Sequence, residues 1–352
     1  MGNAPAKLSW DGKAVPARCP PYPIGFMHSP PNLPPDLRQN LDRLAHGMSR
    51  KALAGRAATQ SRNYRAGGGS RMIATPDDAL AYAFARMPAT YAAAIAAFDA
   101  LREALPEFEP RSLLDVGAGP GTAAFAAGQL FGRIASFRLI DGNASLRGLA
   151  LTLLAAADCA PLREASYREG DALALLANAA PADLVTAGYM ADEIPDRDLP
   201  RFTHALWAAT AGALVVVGPG TPAGHARILR MRAELITAGA HVAAPCPHAR
   251  ACPLHAPDWC HFAQRLPRSR DHLRVKRAEV PFEDERFSYV VVSRGAAQPI
   301  EARVLAPPRI SKSAATAKLC TEAGVMIDTA ARRDGDAYAR RKSWRWGDSV
   351  SR

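Results

Sequence analysis

From residue 111 onward, short apolar runs alternate with longer stretches of helical spacing. Ser112–Val116, Phe137–Ile140, Leu184–Ala187, Leu214–Val217, His241–Ala244 and Phe287–Ser293 have the length and aliphatic content of strands. Helical patterns lie between them, notably Thr122–Leu130 and Ala223–Ala238. This alternation predicts an α/β fold built on a doubly wound parallel sheet, with ligand at the carboxyl ends of the strands. Upstream the rhythm is helical. Asp36 is placed to cap a helix that carries Leu37, Leu41, Leu44 and Met48 on one face. A second helix is expected after Asp77 and Asp78, running through Tyr82, Met87 and Tyr91 to Leu101, with Pro88 kinking or breaking it.

The pattern divides the chain into four stretches. Residues 1–35 are proline-rich and expected to be disordered. Residues 36–110 form a basic helical region. Residues 111–297 form the strand–helix domain, with a cysteine-bearing loop at 245–285. Residues 298–352 form a basic extension, β or irregular, with a strand around Cys320.

Charge follows the same divisions. The 352 residues carry 44 Lys and Arg against 33 Asp and Glu, a net +11. Residues 1–110 hold 13 cations against 9 anions, and residues 261–352 hold 19 against 11. Residues 111–245 are near neutral, with 11 against 12. A neutral domain between basic flanks points to a polyanionic partner gripped by the flanks. No run of about 18 uninterrupted apolar residues is present, so no membrane span is expected. Nor does the chain start with an apolar signal or an Arg-rich amphipathic leader. The expectation is a soluble, intracellular monomer, with Met27 as an alternative start.

The first strand runs into Asp115-Val116-Gly117-Ala118-Gly119-Pro120-Gly121-Thr122. Glycines let a backbone turn sharply and approach a ligand closely. A dinucleotide loop wants G-x-G-x-x-G/A, and Thr122 occupies its last position. An acid followed by G-x-G-x-G instead resembles motif I of the class I S-adenosylmethionine-dependent methyltransferases, whose Rossmann-like fold is therefore expected. In that family the loop curls around the amino-acid half of the cofactor. The resemblance makes Asp115, Gly117, Ala118, Gly119 and Gly121 cofactor-binding. It gives Asp141, about 20 residues past the loop, the ribose hydroxyls, and places Asp171 and Ala172 at the adenine.

After the fourth strand the sequence reads Gly188-Tyr189-Met190-Ala191-Asp192-Glu193. The Asn/Asp-Pro-Pro-aromatic motif of amine methyltransferases is absent, as is the cysteine nucleophile of cytosine-C5 enzymes. Asp192 or Glu193 could act as a base or simply begin a solvated helix, so no catalytic residue is assigned.

Six cysteines in 352 residues are too few for a disulfide scaffold. Cys19 and Cys159 read as lone thiols. Cys246, Cys252 and Cys260 follow C-x5-C-x7-C spacing, and Cys320 lies 60 residues on. Four thiolates complete a tetrahedral zinc site or an iron–sulfur cube. The short C-x2–4-C knuckles of structural zinc are missing, and the wide, proline-flanked spacing suits a four-iron, four-sulfur cluster. His248, His255 and His261 keep zinc open as the alternative. The spacing also lacks the C-x3-C-x2-C of radical S-adenosylmethionine enzymes.

Several runs together resemble one family. They are the glycine loop, Gly218-Pro219-Gly220-Thr221-Pro222-Ala223-Gly224, the segment from Pro245-Cys246-Pro247-His248 to Trp259-Cys260-His261-Phe262, Phe287-Ser288-Tyr289-Val290 and Trp346-Gly347-Asp348. The family is the ribosomal small-subunit methyltransferase-like family, which includes mitochondrial methyltransferase-like protein seventeen and its yeast and bacterial relatives. The resemblance covers roughly residues 36–350. It implies that Cys246, Cys252, Cys260 and Cys320 hold a four-iron, four-sulfur cluster. It also implies association with the small ribosomal subunit precursor and its rRNA, in the cytoplasm of a bacterium or the mitochondrial matrix of a eukaryote.

Three functions follow in order. The first is an rRNA-binding assembly factor of the small subunit, with the cluster structural. The second is an active S-adenosylmethionine-dependent rRNA methyltransferase. The third is a small-molecule methyltransferase with a structural zinc.

Overall fold

The computed structural model describes residues 32–65, 67–268 and 279–351. Nearly all of the proline-rich start, with Cys19 and Met27, lies outside the described residues, as does part of the expected 245–285 loop. Cys159, read from the sequence as a lone thiol, is disulfide-bonded.

Three helices precede the sheet: α1 (Pro35–Leu44), α2 (Arg50–Arg65) and α3 (Pro76–Ala104). Asp36 does not cap α1, which starts one residue earlier with Pro34 as its N-cap. Leu37 and Leu41 are buried as the spacing predicts, whereas Leu44 is exposed. Thr75, rather than Asp77 or Asp78, caps α3, accepting from the Asp78 N–H in a reciprocal capping box. The helix runs through Pro88 without a break. Met87, Ala89 and Tyr91 are fully buried around it, and this packing outweighs the loss of one backbone hydrogen bond.

Strands and helices then alternate: β1 (Ser112–Val116), α4 (Thr122–Leu130), β2 (Ser136–Asp141), α5 (Ala144–Ala155), α6 (Ala160–Arg163), β3 (Ser166–Glu169), α7 (Ala172–Leu176) and β4 (Ala182–Gly188). They continue as α8 (Leu199–Ala208), β5 (Thr210–Pro219), α9 (Pro222–Thr237), β6 (His241–Ala244), β7 (Phe262–Pro267) and β8 (Phe282–Ser293). The strand order is β3-β2-β1-β4-β5-β8-β6, with β7 also paired to β8. Strands β1 to β5 are parallel, and β8 runs antiparallel to β5, β6 and β7. The sheet is therefore mixed rather than wholly parallel, because a hairpin-like return inserts β8 between β5 and β6. Order and direction together are those of the class I methyltransferase fold, an α/β Rossmann-like architecture.

Both faces of the sheet are covered. Leu113, Val215, Val217 and Val291 point to the side of α3, α4 and α5, while Leu114, Leu214, Val216, Val290 and Val292 point to that of α8 and α9. Period-two alternation within continuous apolar runs is what a strand buried on both faces requires.

A second, five-stranded sheet follows: β9 (Ala302–Val304), β10 (Arg309–Ile310), β11 (Ala314–Thr321), β12 (Gly324–Ala331) and β13 (Ser349–Val350). A helix, Asp336–Ser343, crosses between β12 and β13. The strand expected around Cys320 is the carboxyl end of β11. No described helix is long and apolar enough to cross a membrane.

Candidate cofactor cleft and four-cysteine cavity

The glycine loop sits at the carboxyl end of β1, where the order reverses between β2 and β4. That switch point is the crevice in which open α/β sheets bind ligands. Gly117, Gly119 and Gly121 all have positive φ, at 70°, 53° and 83°. The N–H groups of Gly117 and Ala118 both donate to the Ile140 carbonyl, which folds the loop over the end of β2. Asp141 fixes the loop further. Its Oδ2 accepts from the Gly119 N–H at 2.9 Å and its Oδ1 from the Asn143 N–H at 2.8 Å. Tyr167 donates its hydroxyl to the Gly119 carbonyl at 2.8 Å. The ribose-binding acid of the sequence reading thus already organises the loop.

Asp115 is the most perturbed of the expected cleft residues. It is 1 % exposed, and its Oδ2 has no hydrogen-bond partner. Burial, with a smaller contribution from the nearby Asp141 charge, pushes its carboxyl up to about 7. A buried carboxylate oxygen without a donor fits a cationic ligand group, and S-adenosylmethionine carries an ammonium and a sulfonium. Asp171 and Ala172 fit the adenine less well. Asp171 is exposed and caps α7 by accepting from the Ala174 N–H, while Ala172 packs into the core.

The far side of the cleft is lined by the chain itself. A Cβ at Gly117 would lie 2.8 Å from the Met190 side chain. Glu193, a candidate base, accepts from the N–H and hydroxyl of Ser70. Asp192 lies 3.7 Å from Arg227. Tyr189, in the left-handed region at φ 59°, donates its hydroxyl to Glu285 Oε1 at 2.8 Å. Glu285 is also held by both terminal nitrogens of Arg86. Neither Arg86 nor Glu285 was singled out from sequence, for they lie 199 residues apart.

The four cysteines of the second candidate site line one cavity between α9, the loop after β6, β8 and β11. Ser288 donates to the Cys260 carbonyl at 2.8 Å, and Lys318 on β11 pairs with Asp258 beside it. Cys320 Sγ lies 3.8 Å from His248 Nε2. Burial raises the Cys246 and Cys260 thiols, and the Cys260 thiol is raised further by Cys246, Cys252 and Cys320 around it. Cys320 is pushed up to about 12 by burial and then by Cys246 and Cys252. Cys246, Cys260 and Cys320, all raised in this way, take up their anionic form together only with a compensating cation. Among the described residues, no group of three His, Cys, Asp or Glu converges as the ligands of a single ion.

Of the candidate histidines, His248 lines the cavity and His255 does not. His261 stacks on Trp259 and meets the edge of Trp346, at ring-centroid distances of 4.8 and 4.9 Å. Trp346 and Trp344 are packing residues, the latter also 5.4 Å from the Arg341 guanidinium. Three ionisable cavity residues are not marked by the sequence motifs: His225, Arg232 and Arg303. The signal for the first two was legible. His225, Ile228, Arg232 and Leu235 share the buried face of α9 at helical spacing, and an arginine on such a face demands an anion. Nothing comparable marks Arg303 on its three-residue strand.

A family model described as mitochondrial small ribosomal subunit Rsm22 matches residues 76–351. The chain belongs to the Rsm22 family. The matched span includes the glycine loop and all four cavity cysteines. Among curated relatives, the human mitochondrial ribosome assembly protein METTL17 is 28% identical over 297 residues, covering 76% of this chain and 61% of that protein. The mitochondrial Rsm22-cox11 tandem protein 2 of Schizosaccharomyces pombe is 25% identical over 258 residues, 64% of this chain and 33% of that protein. The chain thus spans about three fifths of the human relative and a third of the tandem protein. Among solved structures, the magnesium protoporphyrin IX methyltransferase of Synechocystis with bound S-adenosylmethionine overlays with TM-score 0.39 at 11% identity, covering 74% of this chain and 97% of that one. An O-methyltransferase family protein of Burkholderia thailandensis overlays with TM-score 0.40 at 13% identity, covering 63% and 61%.

Proposed function

We propose that the chain is an assembly factor of the small ribosomal subunit that binds rRNA, and that Cys246, Cys252, Cys260 and Cys320 hold a four-iron, four-sulfur cluster. The observation that carries this reading is the shared cavity. It joins three cysteines of the methyltransferase-like part to the one on β11. When bound, the cluster supplies the cationic iron that lets all four thiols ionise. It has no catalytic part in this account. Its role is to fix the second sheet against the first.

The second sheet presents cations at the end remote from Cys320. Arg309 pairs near the start of β11, and Lys312 sits in the turn before it. Arg332 donates its N–H to the Ser313 carbonyl, which brings Arg332 and Arg333 to the same end. All four side chains belong to exposed residues. Residues 314–320 as a strand set that end about 20 Å from Cys320. Cations so placed contact phosphates, position the protein on rRNA and give salt-dependent affinity. The site is the cytoplasm of a bacterium or the mitochondrial matrix of a eukaryote, and the chain acts as a monomer.

S-adenosylmethionine is the second ligand of this reading. The Asp115–Gly121 loop and Asp141 would hold it, with the unpartnered Asp115 Oδ2 as the observation in its favour. The test is rRNA binding by the anoxically purified full chain across a salt series. Affinity should fall steeply as salt rises, and Cys320→Ser should lose iron and rRNA affinity together. Full rRNA affinity in an iron-free Cys320→Ser protein would break the link.

A further inference from the structure

Arg232 occupies an unusual position on the wall of the thiol cavity. It is 4 % exposed. One terminal nitrogen donates to the His248 carbonyl at 2.6 Å, two residues past Cys246, while its Nε is buried without a partner. Among the described residues no carboxylate pairs with it. Arg303 on the same wall differs: its Nε serves the Pro245 carbonyl, and its Nη1 serves Gly347 and Glu103. A buried guanidinium without a counter-ion is several kcal/mol out of balance unless an anion stands beside it. The cavity Arg232 lines is that of the four cysteines.

We infer that Arg232 is the charge partner of the sulfur-bound core: it clamps the Cys246 loop through His248 and offers its Nε–H to sulfur inside the cavity. This rests on the four-cysteine reading. An iron–sulfur cube with four thiolates is a dianion, and it gains another negative charge on one-electron reduction. A fixed cation and an N–H···S hydrogen bond stabilise the reduced form more than the oxidised one, so Arg232 raises the reduction potential. His225 Nε2 and His248 Nδ1 are also buried without partners around this cavity. Neither brings a permanent charge, and of these three unpartnered groups Arg232 is the one that does.

The test uses the full chain purified without oxygen, as wild type, Arg232→Met and Arg232→Lys. Iron and acid-labile sulfide are measured first, then the midpoint potential by titration with a soluble reductant followed optically. Arg232→Met, which keeps volume and removes charge, should lower the reduced-to-oxidised ratio at fixed potential at least tenfold, 59 mV for a one-electron couple. Arg232→Lys keeps the charge but loses the Nε donor, and should show about a threefold fall. Ratios within twofold of wild type in folded, iron-loaded variants overturn the inference. Where the Met variant does not fold, the Lys variant alone decides by the same criterion. A wild-type chain without iron and sulfide overturns the cluster reading instead, which the first measurement shows separately.

Discussion

Arg303, on the short strand β9, donates from Nε to the carbonyl oxygen of Pro245 at 3.0 Å, immediately before Cys246. It is 2 % exposed, and its Nη1 also reaches Gly347 and Glu103. One side chain therefore joins the second sheet to the cysteine loop and to the end of α3.

Arg303→Met should destabilise the chain by about 2–4 kcal/mol, because it strands a buried and a partly buried carbonyl and breaks a partly buried ion pair. Urea unfolding followed by circular dichroism measures this directly. A loss below about 0.5 kcal/mol would mean that the second sheet is held by other contacts.

Gly117→Ala should cost about 1–3 kcal/mol, since the residue sits at φ 70° and its new methyl would press on Met190. S-adenosylmethionine binding, read by calorimetry, should disappear with it. Adding Met190→Ala relieves the contact but not the backbone strain, so only part of the stability should return. Unaltered cofactor affinity in Gly117→Ala would remove the loop from the binding site.

The Asp115 carboxyl titrates near 7 in the folded chain and near 4 when unfolded. A raised acid pKa gives stability that is fully present below about pH 4 and is lost as pH rises through about 7. The wild-type chain should therefore lose more stability between pH 5 and pH 8 than Asp115→Asn. The difference should be on the order of 2–4 kcal/mol at pH 8. Parallel profiles for the two proteins would show that Asp115 is not desolvated.

The parts of the fold legible in sequence are those whose side chains obey one environment throughout. β1, β6 and the last half of β8 are short, mainly apolar and buried, and their expected bounds match closely, while the expected Leu214–Val217 is the apolar centre of a longer β5. β3 went unread because it is an edge strand of four residues with Tyr167 its single buried side chain. The β7–β8 ribbon was hidden for a different reason. Its outer half carries Arg265 opposite Asp284, and Leu266 opposite Glu283, so charge pairing masks the apolar period. β12 alternates half-buried with exposed positions and leaves Ile327 in solvent, which weakens any strand signal. The glycine loop was legible because three positive-φ positions in five residues call for that spacing. The cysteines announced themselves by residue type. Arg232 is marked by its place on the buried face of α9, whereas Arg303 and the Arg86–Glu285–Tyr189 cluster depend on contacts between distant segments that periodicity does not encode.

The central claim is that one inorganic core unites the four cysteines across the two sheets. Iron and acid-labile sulfide per chain, measured on anoxically purified wild type and Cys320→Ser, test it most directly. The account predicts four of each in wild type, with the broad visible absorption of an iron–sulfur cube, and loss of both in Cys320→Ser. Stoichiometric zinc in a colourless wild-type chain, or undiminished iron in Cys320→Ser, would contradict it.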